Sequence, residues 1–309
     1  MLATQLQLAT GPVTWGVDFA DAPSNLPWEQ VLDQIASSGL GALELGPVGY
    51  LPEDPERLAG ALRSRGLRAV GSFVFDDFHE PAKREQILAV SERACSAIAA
   101  AGGTVLVIID RPGGERVRTA GRSDAAPRMT GDPWLRMVDL VDEVGALARA
   151  HGLRPAFHPH AGSWVEFEDE IERLLEDATV GLCLDLGHAA FAGIDADRAL
   201  AVWSERLVHL HLKDVDPDVV AAVRRERLDF WQAVGASVFC PLGDGVVDLA
   251  AVAASLERQG YEGFATIEQD RRPGGGDPLA DLERSLAALA RAGIAAASGS
   301  PSQVKERAE

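Results

Sequence analysis

The chain has 309 residues, 47% of them hydrophobic and 25% charged, which fits one large α/β barrel or two ordinary domains. Its net charge of −18 speaks against a nucleic-acid partner, since a groove along a phosphate backbone needs clustered Lys and Arg. Three scattered cysteines with no C-x-x-C pair argue against a disulfide framework, and no stretch is apolar for long enough to cross a bilayer.

The opening "MLATQLQLAT" lacks the basic start and apolar run of a signal peptide, so a reducing cytoplasm is the expected location. From there the pattern alternates. Strand-like runs are predicted at 13–18, 41–45, 67–75, 103–109, 153–159, 180–185, 206–212 and 263–269. Helical runs are predicted at 27–38, 53–65, 81–101, 132–151, 166–177, 195–204, 247–259 and 277–293. Several of these helices close on a glycine that leads into the next strand, as in "RSRGLRAV" and "RAHGLRPAF". Eight such units predict a (β/α)8 TIM barrel as a single domain over 1–293, with 294–309 as a disordered tail. A doubly wound sheet would carry a glycine-rich phosphate turn after its first strand, and "VTWGVDFADAPS" supplies none. Two connections are long: 110–131 after strand 4, and 213–246 after strand 7, with one helical run "DVVAAVRRERLDFWQAV". Long loops on that face of a barrel are often lids.

Strand ends converge in a barrel, so the polar residues there matter most. Strand 1 ends with Trp15 and Asp18, and strand 2 supplies Glu44. Strand 5 supplies His158 and His160, strand 6 Asp185 with His188 beyond it, strand 7 His209, His211 and Lys213, and strand 8 Glu268. Period 2 puts His209, His211 and Lys213 on one face, away from the leucines between them. Unpaired, such groups would cost several kcal/mol inside a barrel. A divalent cation held by Asp185, His211 and Glu268 is one solution, and this donor set suits Mn²⁺, Co²⁺, Mg²⁺ or Fe²⁺, with Zn²⁺ also compatible. The fourth ligand is open between Glu166 and His158.

Each residue also has a bland reading. Asp185 can cap a turn, Glu268 can pair with an arginine at the rim, and Glu166 can be an acid at a helix N-terminus. Lys213 is open between proton transfer, a substrate-binding cation and a salt bridge to Asp214. Glu44 can bind substrate hydroxyls, Trp15 can stack on a sugar or simply pack, and His188 can support Asp185. Arginines 111, 116, 118, 122 and 128 either form a lid for an anionic substrate or decorate a solvated loop.

The motifs "TWGVD", "ALELGPVGYLP", "HPHAGSWVE", "VGLCLDLGH", "HLHLKDV", "PLGDGVVD" and "IEQD" resemble the inosose dehydratase family, within the xylose-isomerase-like barrels that include sugar epimerases and isomerases. The resemblance runs over 13–293. It implies a divalent metal, usually Mn²⁺ or Co²⁺, on Asp185, His211 and Glu268. Most members of the superfamily carry a glutamate ligand at the end of strand 5, where this sequence has His158. That departure leaves Glu166 or His158 as the fourth ligand, with Glu166 favoured. The "DFADAPSNLPW" loop and the arginine-rich loop also depart from the dehydratase pattern. The implied reaction is dehydration of a keto-polyol such as 2-keto-myo-inositol through a metal-stabilised enediolate. His158, His160 and Lys213 are the proton-transfer candidates, and Trp15, Glu44 and His188 the substrate-binding ones. The same site would serve a sugar isomerase or epimerase, and a non-catalytic barrel acting as a subunit or sugar sensor is the third reading. A small polyol or sugar is the expected partner, and assembly into a homo-oligomer is compatible with all three.

Overall fold

A computed structural model describes residues 4–272 and 274–296. Its strands are β1 (Thr4–Thr10), β2 (Ala42–Glu44), β3 (Arg68–Asp76), β4 (Val105–Asp110), β5 (Arg154–Phe157), β6 (Gly181–Asp185), β7 (Leu207–Leu212), β8 (Asp214–Val215), β9 (Phe239–Cys240), β10 (Phe264–Ile267) and β11 (Ile294–Ala296). Its α-helices are α1 (Trp28–Ser37), α2 (Pro55–Arg63), α3 (Arg84–Ala100), α4 (Gly114–Thr119), α5 (Gly131–Ala150), α6 (Glu168–Asp177), α7 (Leu186–Phe191), α8 (Ala196–Val202), α9 (Pro217–Glu226), α10 (Phe230–Gly235), α11 (Leu249–Gln259) and α12 (Pro278–Arg291). Strands β1 to β7 pair in parallel in chain order, and β10 lies between β7 and β1. Gln7–Thr10 stand opposite Phe264–Ile267, which closes an eight-stranded barrel.

Strand alternation sorts the side chains. Leu106, Ile108, Phe157, Leu182, Leu184, Leu210 and Leu212 pack outward on the helices in the main core. Each contributes roughly 1.5–3 kcal/mol by leaving water. The alternate positions Val105, Val107, Ile109, Ala156 and Cys183 join Val13 and Phe73 in a separate cluster within the ring. Above it, on the same inward face, stand the polar groups of the strand ends.

The first strand corrects the sequence expectation. The run 13–18 is not a strand: Pro12–Trp15 form a 3₁₀ turn, opened by a proline and closed by Gly16 at φ +76°. The strand is the preceding "TQLQLAT", whose Leu6 and Leu8 are buried. The expected tail is also corrected at its start. Ile294–Ala296 pair in parallel with Thr4–Leu6, while 297–309 lie outside the described residues. The helical run expected at 218–234 is broken in two. Arg227 takes a left-handed conformation that ends α9, and the Asp229 side chain caps α10. An antiparallel ribbon of β8 and β9 pins both ends of this insertion. A satellite core of Ala120, Phe191, Val223, Phe230, Val238 and Phe239 fastens it to α7 and to the loop after β4. Among the described residues, no helix is long and apolar enough to cross a membrane.

Candidate metal centre

Register builds the centre. Asp185 at the end of β6 stands opposite His211 on β7, and His211 stands opposite Thr266 on β10. The Glu268 amide donates to Leu212, which extends the ladder and brings that carboxylate alongside. The His158 amide donates to Ile108 in the same way, just past β5. The result is a buried group of His158, Asp185, His211 and Glu268, whose ligand atoms all lie within 4.8 Å of one another. His211 Nδ1 is 3.2 Å from Glu268 and 3.7 Å from Asp185, and His158 Nε2 is 3.5 Å from Asp185.

Asp185 Oδ2 and His211 Nδ1 are buried and make no well-directed hydrogen bond, although Lys213 Nζ lies 3.0 Å from the first and Glu268 Oε2 3.2 Å from the second. Burying such atoms unpaired is costly, and a cation between them would satisfy both. Two imidazoles and two carboxylates form a donor set that divalent transition metals accept. The residues therefore fit a metal.

A layer of support surrounds them. Glu44 Oε1 accepts from His211 Nε2–H at 2.9 Å and from His209 Nε2–H at 2.8 Å. This fixes the His211 tautomer and leaves Nδ1 free to coordinate. Glu44 is thus beneath the site, and the expectation that it binds substrate is corrected. Asp185 Oδ1 accepts the His188 amide at 2.8 Å, so this aspartate caps α7 and faces the centre at once. His188 Nδ1 accepts from the Ala161 amide, and its Nε2 lies 3.2 Å from Asp270. It stands behind the cavity wall as a support, not as the substrate contact expected.

Glu166, the favoured fourth ligand, is not part of the group. Its oxygens accept the Gly121 and Gly162 amides at 2.6 and 2.9 Å, with Arg116 at 3.5 Å. Arg116 is fully buried and also makes a two-point pair with Glu170. Two amides and a guanidinium capture the Glu166 carboxylate where it stands, which leaves His158 as the fourth candidate ligand. The same contacts overturn the picture of a freely solvated arginine loop. Arg111 binds Asp77, Arg128 binds Asp169, and Arg122 donates to the Leu228 carbonyl. Trp15 is likewise corrected: it is buried, and its indole N–H donates to Gln34 on α1, away from the cavity.

The cavity over the metal centre is lined on its polar side by Asp18, His160, Lys213, Glu268 and Asp270. Lys213 Nζ lies 2.8 Å from Asp270, 3.0 Å from Asp185 and 3.3 Å from Glu268. Burial pushes its ammonium down, but the three carboxylates outweigh that and hold it well above the usual lysine range. Asp214 does not pair with it, because that carboxylate accepts the amides of Gly243, Gly245 and Val247 in the "PLGDG" turn. Burial likewise pushes Asp185 up, yet the Lys213 charge beside it holds it well below the carboxylate range. His160 Nδ1–H donates to the Ala161 carbonyl at 2.9 Å. Burial, with His188 and His158 beside it, keeps this imidazole neutral, so its Nε2 carries a lone pair. Burial and the Asp270 charge push the Asp18 carboxyl up to about 7. Asp270 escaped the sequence reading. Its signal was there in "IEQD": two residues beyond Glu268, period 2 puts it on the same face.

Residues 32–292 match the family described as Xylose isomerase-like TIM barrel. An inosose dehydratase of Geobacillus thermodenitrificans (strain NG80-2) is 30% identical over 282 residues, covering 89% of this chain and 93% of that one. Among solved structures, a probable 3-DHS dehydratase of Bacillus anthracis superposes with a TM-score of 0.70 at 14% identity, over 92% of this chain and 99% of its own. The IOLI protein with a bound zinc atom superposes with a TM-score of 0.67 at 15% identity, over 93% and 98%.

Proposed function

Because this chain belongs to the xylose isomerase-like TIM barrel family, we propose that it is a metal-dependent lyase that dehydrates a keto-polyol such as 2-keto-myo-inositol. The observation that carries this reading is the convergence of His158, Asp185, His211 and Glu268, with ligand atoms within 4.8 Å of one another, directly beneath a cavity that His160 lines. His158, Asp185, His211 and Glu268 would hold the metal, with Mn²⁺ or Co²⁺ as the proposed occupants. When bound, the cation supplies Lewis acidity at the substrate carbonyl, which makes the neighbouring C–H more acidic.

The chain's own groups do the rest. His160 Nε2 takes the proton from the carbon beside the carbonyl, since its other nitrogen is committed to Ala161. Asp18, a carboxyl near neutrality in the same cavity, gives a proton to the departing hydroxyl, which leaves as water. Lys213 stays charged and holds substrate oxygens, so its role is electrostatic and not that of a base. The free cysteines Cys95, Cys183 and Cys240 fit a reducing cytoplasm.

The test is incubation of the metal-loaded protein with 2-keto-myo-inositol. Loss of one water by mass spectrometry with new ultraviolet absorbance is expected, and His160→Ala should lower the rate by about 100-fold or more. Turnover without a change of mass would make the protein an epimerase or isomerase, and no turnover with any keto-polyol would end the reading.

A further inference from the structure

Two walls of unlike chemistry meet in the cavity. One is a band of rings. Centroid distances step from Phe19 to Phe75 (5.8 Å), from Phe75 to His160 (5.9 Å), from His160 to Phe230 (5.3 Å) and from Phe230 to Trp231 (4.9 Å). The middle of the band is buried or half-buried, while Phe19 and Trp231 at its two ends are 41% and 45% exposed. Phe230 and Trp231 come from α10, in the insertion after β7, and both line the cavity.

The other wall is charged, and its balance is set. Among the described residues, Lys213 is the one lysine or arginine that lines the cavity. It already contacts three carboxylates, those of Asp185, Glu268 and Asp270. A divalent cation on Asp185 and Glu268 would bring these groups to about neutral and leave no positive charge over. The arginines of the 110–131 loop add none, because none of them reaches the cavity lining. A phosphate or carboxylate on the substrate would meet Asp270 and Glu268, with Lys213 and the cation already matched by carboxylates. The aromatic band, by contrast, suits the C–H face of a ring.

We infer that the site takes an uncharged cyclic keto-polyol whose ring face lies on Trp231, backed by the buried Phe230, and that it rejects substrates bearing a phosphate or carboxylate. This rests on the keto-polyol reading above and narrows it. Trp231 is a specificity-determining residue. The Trp15 position, which a sequence reading offers for stacking, is filled by core packing instead.

The experiment has two arms on the full-length, metal-loaded protein. In the first, calorimetry compares myo-inositol with myo-inositol monophosphate. The neutral polyol should bind at least about tenfold more tightly. In the second, the kinetics of Trp231→Ala, Trp231→Leu and Trp231→Phe are followed on 2-keto-myo-inositol. Trp231→Ala and Trp231→Leu should raise KM about tenfold with a smaller change in kcat, and Trp231→Phe should restore most of the loss. The leucine variant keeps apolar volume, so a loss shared with alanine cannot come from an unfilled surface. Equal or tighter binding of the phosphate overturns the inference, as does an unchanged KM in both ring-deleted variants. If no water is lost from any keto-polyol but the neutral ligand still binds preferentially, the proposed reaction fails and the charge selection stands. If water is lost yet the phosphate binds as well, the inference fails alone.

Discussion

Asp185 divides its two oxygens between two tasks. One caps α7 through the His188 amide, and the other faces the candidate metal centre. The helix that starts on it therefore fixes the rotamer of this proposed ligand, an economy that accounts for the "DLGH" spacing. The glycine of that motif has an equally local reason. A Cβ at Gly187 would lie 2.5 Å from Lys213 Cγ, so the lysine stem crosses the first turn of α7 only because no side chain is there. Gly187→Ala is expected to displace Lys213 and lower kcat about tenfold, with metal content unchanged. Steady-state kinetics beside metal analysis checks this, and an unaltered kcat would show that Lys213 is not needed where it stands. Residue chemistry alone cannot separate Trp15 from Trp231. Both are tryptophans near a strand end or its loop, and only their neighbours tell packing from exposure.

At the scale of elements, the loops after successive strands are tied together by buried carboxylates. Asp110, at the end of β4, accepts the His79 amide and its Nδ1–H with one oxygen, the latter at 2.7 Å, and the Trp164 amide with the other. It thus joins the loops after β3 and β5. Burial pushes the His79 imidazole down, but the hydrogen bond and charge of Asp110 outweigh it and raise its pKa above 6.5. A raised histidine pKa gives stability that is fully present below the unfolded value of 6.5 and is lost as pH rises through the folded value. The unfolding free energy of the wild type should therefore fall, relative to that of His79→Gln, as pH rises from below 6.5 into the alkaline range. Urea titrations at the two ends of that range decide it, and a constant difference would mean that Asp110 holds a neutral imidazole. Asp214 does the same kind of work for the "PLGDG" turn, where a Cβ at Gly245 would sit 2.3 Å from the Asp214 oxygen. Glu166 belongs in this class too. It was expected at the metal and instead holds the loop after β4 against the loop after β5.

At the scale of the whole molecule, barrel closure turns scattered residues into one site, and a bound cation should couple to the stability of all of it. Saturating Mn²⁺, Co²⁺ or Zn²⁺ is expected to raise the Tm of the chelator-treated protein by about 3–8 °C, and Asp185→Asn should abolish the rise. Differential scanning calorimetry gives the answer, and a Tm indifferent to all three metals would remove the metal from the proposal. The sequence by itself determined the eight repeating units and the strand ends on which Asp185, His211 and Glu268 sit. Periodicity of two and three to four is a local property, and the strand ends of a barrel must converge. It also carried the true first strand in "TQLQLAT", with Pro12 and Gly16 marking the turn after it, although the β-branched run beyond drew the expectation away. Only the tertiary structure put His158 in the candidate group and Glu166 outside it, brought Asp270 to Lys213, and set an aromatic band opposite a charged wall. Those outcomes depend on which donors from other loops reach a carboxylate first. Arg116 and the Gly121 amide lie about 50 residues from Glu166 in sequence, and no local spacing records that they meet it in space.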